Sequence, residues 1–195
     1  MSGVRGVVDG ELVSPSGPAL RIRVDPALRS IGATELEIKG LALAERHHFV
    51  DAPDGHVRRM LIVQFEGFLP SNDETYRYLL PDPVTIGGET YGSWVFGYSL
   101  SREIEEEPGA ESADTARLLA ARGLEIDDEQ LMARYARIIE PEARRELLLF
   151  YHEPLRPLGH SLASICEEGE VRAAHASVAV ELRARARRAF EITPA

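Results

Sequence analysis

The sequence predicts an α+β protein in which a strand-rich N-terminal half precedes a helix-rich C-terminal half. Two observations predict this class. Residues 1–100 contain short alternating apolar and polar runs with hairpin turns, and the residues after 111 show helix caps and helical periodicity. We expect six to eight antiparallel strands in a strongly curved sheet or partly open barrel, with four or five helices packed against it.

The same change of pattern predicts the domain organisation. Residues 1–100 form the β-rich half, residues 101–111 an acidic linker that carries Glu103 and Glu105–Glu107, and residues 112–195 the helical half. The sequence leaves open whether the two halves are separate domains or share one core.

The N-terminal strands are predicted from turn residues and alternation. Asp9-Gly10 between β-forming residues indicates a tight hairpin, because both turn positions need a positive φ. Residues 20–24 alternate between apolar and arginine side chains, which predicts a strand with one exposed face. Longer strands are expected at 35–51 and 56–69, joined by a turn at 52–55.

Two further strand regions follow before residue 100. Residues 75–80 are expected to form a strand that ends at Pro81. Gly87-Gly88 predicts a second tight hairpin, which joins residues 84–86 to residues 89–100.

Helix caps and breakers define the C-terminal half. Asp127 and Gln130 have capping-box spacing, and Pro141 suits a first helical position. The predicted helices begin near residues 112, 127, 141, 161 and 170, and the last of them extends to Phe190.

Composition disfavours several function classes. The net charge of −10 disfavours nucleic acid and anionic membrane surfaces as partners, because both need clustered basic residues. A single cysteine, Cys166, cannot form an intramolecular disulfide. With one lysine, Lys39, among 22 basic residues, the composition is typical of a GC-rich bacterial genome. No apolar run approaches the roughly 20 residues of a membrane-spanning helix, so we expect an acidic, cytoplasmic protein.

Motifs for catalysis or cofactors are weak. Gly159-His160-Ser161-Leu162-Ala163 partly matches a hydrolase nucleophile elbow, but the prolines before it are incompatible with the buried strand that this motif requires. The six histidines include no helical ligand pair, and glycine-rich phosphate loops are absent. We therefore expect no metal site and no cofactor.

The candidate site lies on the long hairpin. If its strands pair residues whose numbers sum to about 106, Glu45, His47 and Arg59 share one face with apolar side chains. Buried polar groups of this kind either pair with one another or bind the polar end of a ligand. Tyr78 and Trp94 belong to aromatic strand faces that suit an apolar ligand with a polar head. We predict these five residues as ligand-binding; a one-residue shift in register would separate them.

Three functions remain open. The first is a protein that binds a small apolar ligand with a polar head. The second is a metal-independent enzyme in which Glu45 and His47 are an acid–base pair. The third is an interaction or scaffold protein that uses the helical half, and that forms a homo-oligomer or complex through the C-terminal arginines Arg183, Arg185, Arg187 and Arg188. Whether the protein is an enzyme, and which residues would be catalytic, is unknown from the sequence.

Overall fold

A computed structural model describes residues 4–139 and 141–195. Over these residues the chain forms thirteen strands in two antiparallel sheets and four α-helices. Neither sheet closes or curls strongly, and strand is about twice as abundant as helix. The protein is therefore α+β with antiparallel sheets, but the expected strongly curved sheet or barrel and the expected helical C-terminal half are both wrong.

The small sheet contains the first three strands and the last strand of the chain. Its order is β1-β2-β3-β13, with the bounds β1 (Gly6–Val8), β2 (Glu11–Ser14), β3 (Leu20–Val24) and β13 (Phe190–Pro194). The predicted hairpin at Asp9-Gly10 is confirmed, with φ values of 50° and 83° at the two turn residues. The predicted strand at residues 20–24 is also confirmed.

The large sheet has the order β11-β12-β8-β9-β10-β6-β5-β4, and β7 pairs with β8. Its strands are β4 (Arg29–Ile38), β5 (Ala42–Asp51), β6 (Arg59–Phe68), β7 (Val84–Ile86), β8 (Glu89–Ser99), β9 (Glu129–Ile139), β10 (Arg145–Pro154), β11 (Cys166–Glu167) and β12 (Glu170–Val171). The four helices are α1 (Leu100–Glu106), α2 (Glu111–Ala121), α3 (Leu162–Ile165) and α4 (Ala176–Ala189). β6 pairs with β10 and β8 with β9, so strands from before and after residue 100 share one sheet.

The largest correction concerns β9 and β10, which the sequence predicted as helices. Their residues are rich in leucine, alanine and arginine, all good helix formers. Both strands are central in the sheet and are covered on both faces, so apolar side chains occur on both faces and hide the two-residue period. Tertiary packing therefore overrides local propensity here.

Three smaller differences concern turns and connections. Residues 35–51 contain two strands, because Lys39 and Gly40 both adopt positive φ, 51° and 69°, and reverse the chain between β4 and β5. Residues 75–80 form no strand, and the acidic run that begins at Glu103 forms most of α1. By contrast, the hairpin at Gly87-Gly88 is confirmed.

The two faces of the large sheet have different coverings. We call face A the one that carries the odd-numbered residues of β5, β6, β9 and β10; Phe49, Val63 and Leu149 on it pack into one core with the small sheet and α4. Face B carries the even-numbered residues of the same strands. A smaller core on face B joins Ile62 to Leu119 of α2. Leu100 of α1 and Thr115 of α2 line one cavity with Ile62, so both helices, which lie in the connection from β8 to β9, cover face B.

No helix within the described residues combines the length and apolar character needed to cross a membrane.

Candidate functional site

A cavity of about 330 Å³ lies between face B and the helices α1 and α2. We call it the face-B cavity. Apolar side chains, most of them from the sheet and one from α1, form about half of its wall, together with four glutamates, two arginines and a histidine. The apolar members include Met60, Ile62, Phe96, Leu100, Ile126, Met132, Leu148 and Phe150; the polar members include Arg46, Glu66, Glu103, Glu111, Arg134, Glu146 and His152.

Two of these glutamates form a cross-strand pair. Glu66 of β6 lies directly opposite Glu146 of β10, and both side chains are on face B. Like charges in directly opposed strand positions destabilise a sheet. Glu146 is also removed from water, since it is only 5% exposed, whereas Glu66 is partly buried.

Two tyrosines from one irregular segment bind this carboxyl pair. The Tyr76 hydroxyl donates to Glu66 Oε1 at 2.8 Å, and the Tyr78 hydroxyl donates to Glu146 Oε2. The segment approaches the sheet closely at Gly92, where an added Cβ would lie 3.0 Å from the Leu80 Cα. Glycine in β8 therefore permits the approach that brings both tyrosines to the carboxyl groups.

Burial sets the protonation of the pair. Burial, with a smaller contribution from the nearby Glu66 carboxylate, raises the pKa of Glu146 to about 7, although the Tyr78 hydrogen bond and Arg134 act to lower it. Burial also raises the pKa of Glu66, against hydrogen bonds from Tyr76 and Gln64 that lower it. The pair is therefore able to hold a proton near neutral pH.

A buried arginine is linked by hydrogen bonds to the carboxyl pair. Arg46 of β5 is 3% exposed, and its Nη1 donates to Asp114 Oδ2 at 3.1 Å. Its Nε donates to Gln64 Oε1 at 2.9 Å, and the Gln64 amide in turn donates to Glu66 Oε2 at 2.8 Å. This chain of hydrogen bonds joins α2 to the carboxyl pair and orients Glu66.

A histidine occupies the other end of the cavity. His152 is 5% exposed; its Nδ1 forms a hydrogen bond of 2.9 Å with the Tyr98 hydroxyl. Burial lowers the pKa of His152 to about 3, so the imidazole is neutral. Within residues 4–139 and 141–195, its Nε2 has no hydrogen-bond partner. It is therefore able to bind a polar group inside the cavity.

Arg134 of β9 lies between aromatic rings in the same cavity. Its guanidinium carbon is 5.2 Å from the Trp94 ring centroid and 5.8 Å from that of Phe150. The Trp94 ring is in turn 6.3 Å from that of Tyr78. These contacts stabilise the guanidinium above the sheet, while its Nε lacks a hydrogen-bond partner in the described part of the chain.

The five residues predicted as ligand-binding fall into separate groups. Glu45, His47 and Arg59 do share face A, although β5 and β6 pair residues whose numbers sum to 110; the difference of four from the expected register keeps the same face. Tyr78 and Trp94 contact each other on face B. The sheet therefore separates the two groups, and the structure does not bring the five residues into one site.

On face A, the polar residues pair with other protein groups. His47 Nε2 lies 2.8 Å from Glu45 Oε1, and Arg5 Nη1 binds the other oxygen of the same carboxylate at 2.7 Å. Arg59 binds Asp51 at 2.8 Å and Asp25 at 2.9 Å. The C-terminal arginines also have internal contacts: Arg183 binds Asp82, Arg185 binds Glu153, and Arg187 lies over the Phe190 ring.

Sequence reasoning missed Glu66, Glu146, Arg134 and His152. Three of them belong to β9 and β10, whose assignment as helices concealed which residues share a sheet face. The sequence did contain one signal: Glu146, Leu148, Phe150 and His152 follow one another at intervals of two residues. In a strand, this interval places all four side chains on one face.

The described residues contain no group of three histidine, cysteine or acidic side chains arranged to hold a metal ion. The chain matches no protein-family model, no curated protein and no solved structure.

Proposed function

We propose that this protein binds a small organic molecule, with an apolar body and a polar head, in the face-B cavity. The observation that carries the proposal is the Glu66–Glu146 pair, which two tyrosines hold at one end of a cavity whose wall is about half apolar. The volume of about 330 Å³ is within the range of about 300–1,000 Å³ that is typical of small-molecule sites.

Stability alone gives little reason for this arrangement. Burial of a carboxyl group without an opposite charge costs free energy, and a second carboxyl group in the opposed position adds to that cost. Polar groups retained at such a cost are typical of sites that orient a ligand. The proposal accordingly places the polar head at the carboxyl pair and the apolar body near Leu148 and Phe150.

The test uses ligand-observed saturation-transfer NMR with a library of small molecules that have an apolar body and one polar group. Ser112 of α2 lies in the cavity wall, so Ser112→Phe should fill part of the space. Ala120 is exposed on the same helix, and Ala120→Phe is the matched control. We expect binders to the wild type and to Ala120→Phe that fail to bind Ser112→Phe. No binders at all, or equal binding to the three proteins, would contradict the proposal.

A further inference from the structure

The wall of the face-B cavity carries an excess of acidic groups. Four carboxyl groups and two guanidinium groups line it; the carboxyl groups are Glu66, Glu103, Glu111 and Glu146, and the guanidinium groups are Arg46 and Arg134. Arg46 forms its ion pair with Asp114, a fifth carboxylate behind the wall. Arg46 also interacts with the Glu111 carboxylate. Among the described residues of the wall, this leaves Arg134 as the one guanidinium group near Glu66, Glu103 and Glu146 that forms no ion pair.

Arg134 does not neutralise the carboxyl pair by direct contact. Its guanidinium lies over Trp94 and Phe150, and its Nε has no hydrogen-bond partner within the described residues. Each carboxyl group of the pair instead accepts a hydrogen bond from a neutral tyrosine hydroxyl. A hydroxyl orients a carboxylate but supplies no positive charge.

The second, independent indication of a ligand is His152. This side chain lines the same cavity and is more than nine-tenths buried, and its Nε2 has no partner in the part of the chain that the structure describes. Buried polar nitrogens are normally hydrogen-bonded, so an orphan nitrogen at a cavity indicates a missing partner.

The two ends of the cavity define an elongated shape. Glu146 and His152 are six residues apart on β10, which corresponds to about 20 Å along a strand. The side chains of Leu148 and Phe150 lie between them on face B. A ligand that contacts both ends therefore needs an aliphatic or otherwise apolar body between two polar groups.

We propose that the ligand is an elongated aliphatic amine whose protonated nitrogen lies between Glu66 and Glu146 and whose far end carries a hydrogen-bonding group for His152. This inference rests on the proposed function and specifies the chemistry of the polar head. A protonated amine has three donors and one positive charge, which match two neighbouring carboxylates. An anionic head at Arg134 would instead meet the repulsion of four carboxyl groups.

Isothermal titration calorimetry at pH 8 tests the charge of the head with three probes of one chain length: octylamine, 1-octanol and octanoate. We expect octylamine to bind at least tenfold more tightly than 1-octanol, and octanoate to bind most weakly. Glu146→Gln should weaken octylamine at least tenfold and leave 1-octanol unchanged. Glu105→Gln, on the exposed side of α1, is the matched control and should change neither.

The outcomes separate this inference from the proposed function. If 1-octanol or octanoate binds as tightly as octylamine, and Ser112→Phe abolishes that binding, the cavity is a ligand site and the amine assignment is overturned. If none of the probes binds, or if Ser112→Phe leaves binding intact, both proposals are overturned. Retained octylamine affinity in Glu146→Gln would overturn the placement of the amine.

The far end of the ligand is tested with 12-amino-1-dodecanol, which adds one hydroxyl group to dodecylamine and, with a hydrogen bond of about 3 Å at each end, is long enough to span the distance of about 20 Å. We expect tighter binding than that of dodecylamine, because the hydroxyl group can pair with His152 Nε2. Equal or weaker binding would overturn the assignment of His152.

Discussion

Glu66 and Glu146 lie directly opposite each other on neighbouring strands, and each accepts a hydrogen bond from a tyrosine of the same irregular segment. This relationship joins the fold to the proposed function. The sheet fixes the spacing of the two carboxyl groups, the segment with Tyr76 and Tyr78 orients them, and Gly92 allows that segment to approach.

Glu146→Gln should change how stability depends on pH. The folded-state pKa of Glu146, about 7, is above the ordinary value of 4.5, so the folded wild type binds this proton more tightly than the unfolded chain does. The tighter binding of this proton contributes to the stability of the folded wild type; that contribution is fully present below pH 4.5 and is lost as pH rises through about 7. Gln cannot lose a proton, so the free energy of unfolding of Glu146→Gln should not fall in this way. With about 1.4 kcal/mol per pKa unit, the free energy of unfolding of the wild type should fall by on the order of 3 kcal/mol more than that of the variant between pH 4.5 and pH 8.

Urea unfolding of both proteins between pH 4.5 and pH 8 measures this difference. The charged and titratable groups around Glu146 are Glu66, Tyr78, Glu111 and Arg134, and all of them remain in the variant. Equal pH dependence of the two proteins would show that Glu146 binds its proton no more tightly in the folded protein than in the unfolded chain, and would contradict the account of the pair.

Tyr78→Phe should raise the pKa of Glu146 above about 7. The Tyr78 hydroxyl donates to the carboxylate and thereby lowers this pKa. Without the hydroxyl, burial and the repulsion from Glu66 raise the pKa further. Carbon-detected NMR of labelled glutamate side chains measures the titration. Tyr98→Phe is the control, because Tyr98 is bonded to His152 at the other end of the cavity. A lower pKa in Tyr78→Phe would contradict the assigned role of this hydroxyl.

Arg46→Met should strongly destabilise the protein. It removes the buried cationic partner of the Asp114 carboxylate, which among the described residues keeps only the exposed Arg117, at 3.7 Å, as a cationic partner, and it removes the hydrogen bond to Gln64. Removal of one member of a buried ion pair costs about 3–5 kcal/mol. Arg102→Met is the control: Arg102 forms an exposed pair with Glu106, and an exposed pair is worth less than about 1 kcal/mol. Similar losses of unfolding free energy in both variants would show that the Arg46 network adds no specific stability.

Gly92→Ala should displace the segment that carries the two tyrosines. Its Cβ would lie 3.0 Å from both the Leu80 Cα and the Trp94 Cη2, so one neighbour must move. Overpacking of this kind costs about 1–3 kcal/mol. Gly109→Ala is the control, because nothing lies within 4 Å of its added Cβ. Thermal unfolding measures the cost, and unchanged stability in Gly92→Ala would contradict the close approach.

The sequence predicted those parts of the fold that depend on local signals. Asp9-Gly10 and Gly87-Gly88 have the residues that tight hairpins require, and both hairpins are present. The turn at Lys39-Gly40 was missed, because lysine rarely adopts the positive φ that this position requires. Strands β9 and β10 were missed because their pairing with β8 and β6 is non-local, whereas their residues favour helix.

The candidate site was harder to predict than the fold. Tyr78 and Trp94 were identified from aromatic patterns, and they do contact each other. Their neighbours Glu146 and Arg134 belong to the strands that were assigned as helices, so no pattern could place them on the same sheet face. A site whose wall takes residues from six strands depends on sheet order, and sheet order is not encoded in any local stretch of sequence.

The most direct test of the central claim is a ¹³C methyl NMR titration with octylamine, because alternate residues of one strand face opposite sides of the sheet. Ile62 and Leu148 are on face B at the cavity, whereas their neighbours Val63 and Leu149 are on face A. We predict saturable shifts of the Ile62 and Leu148 methyl signals, with Val63 and Leu149 nearly unchanged. No saturable shift, or larger shifts at Val63 and Leu149, would contradict ligand binding in the face-B cavity.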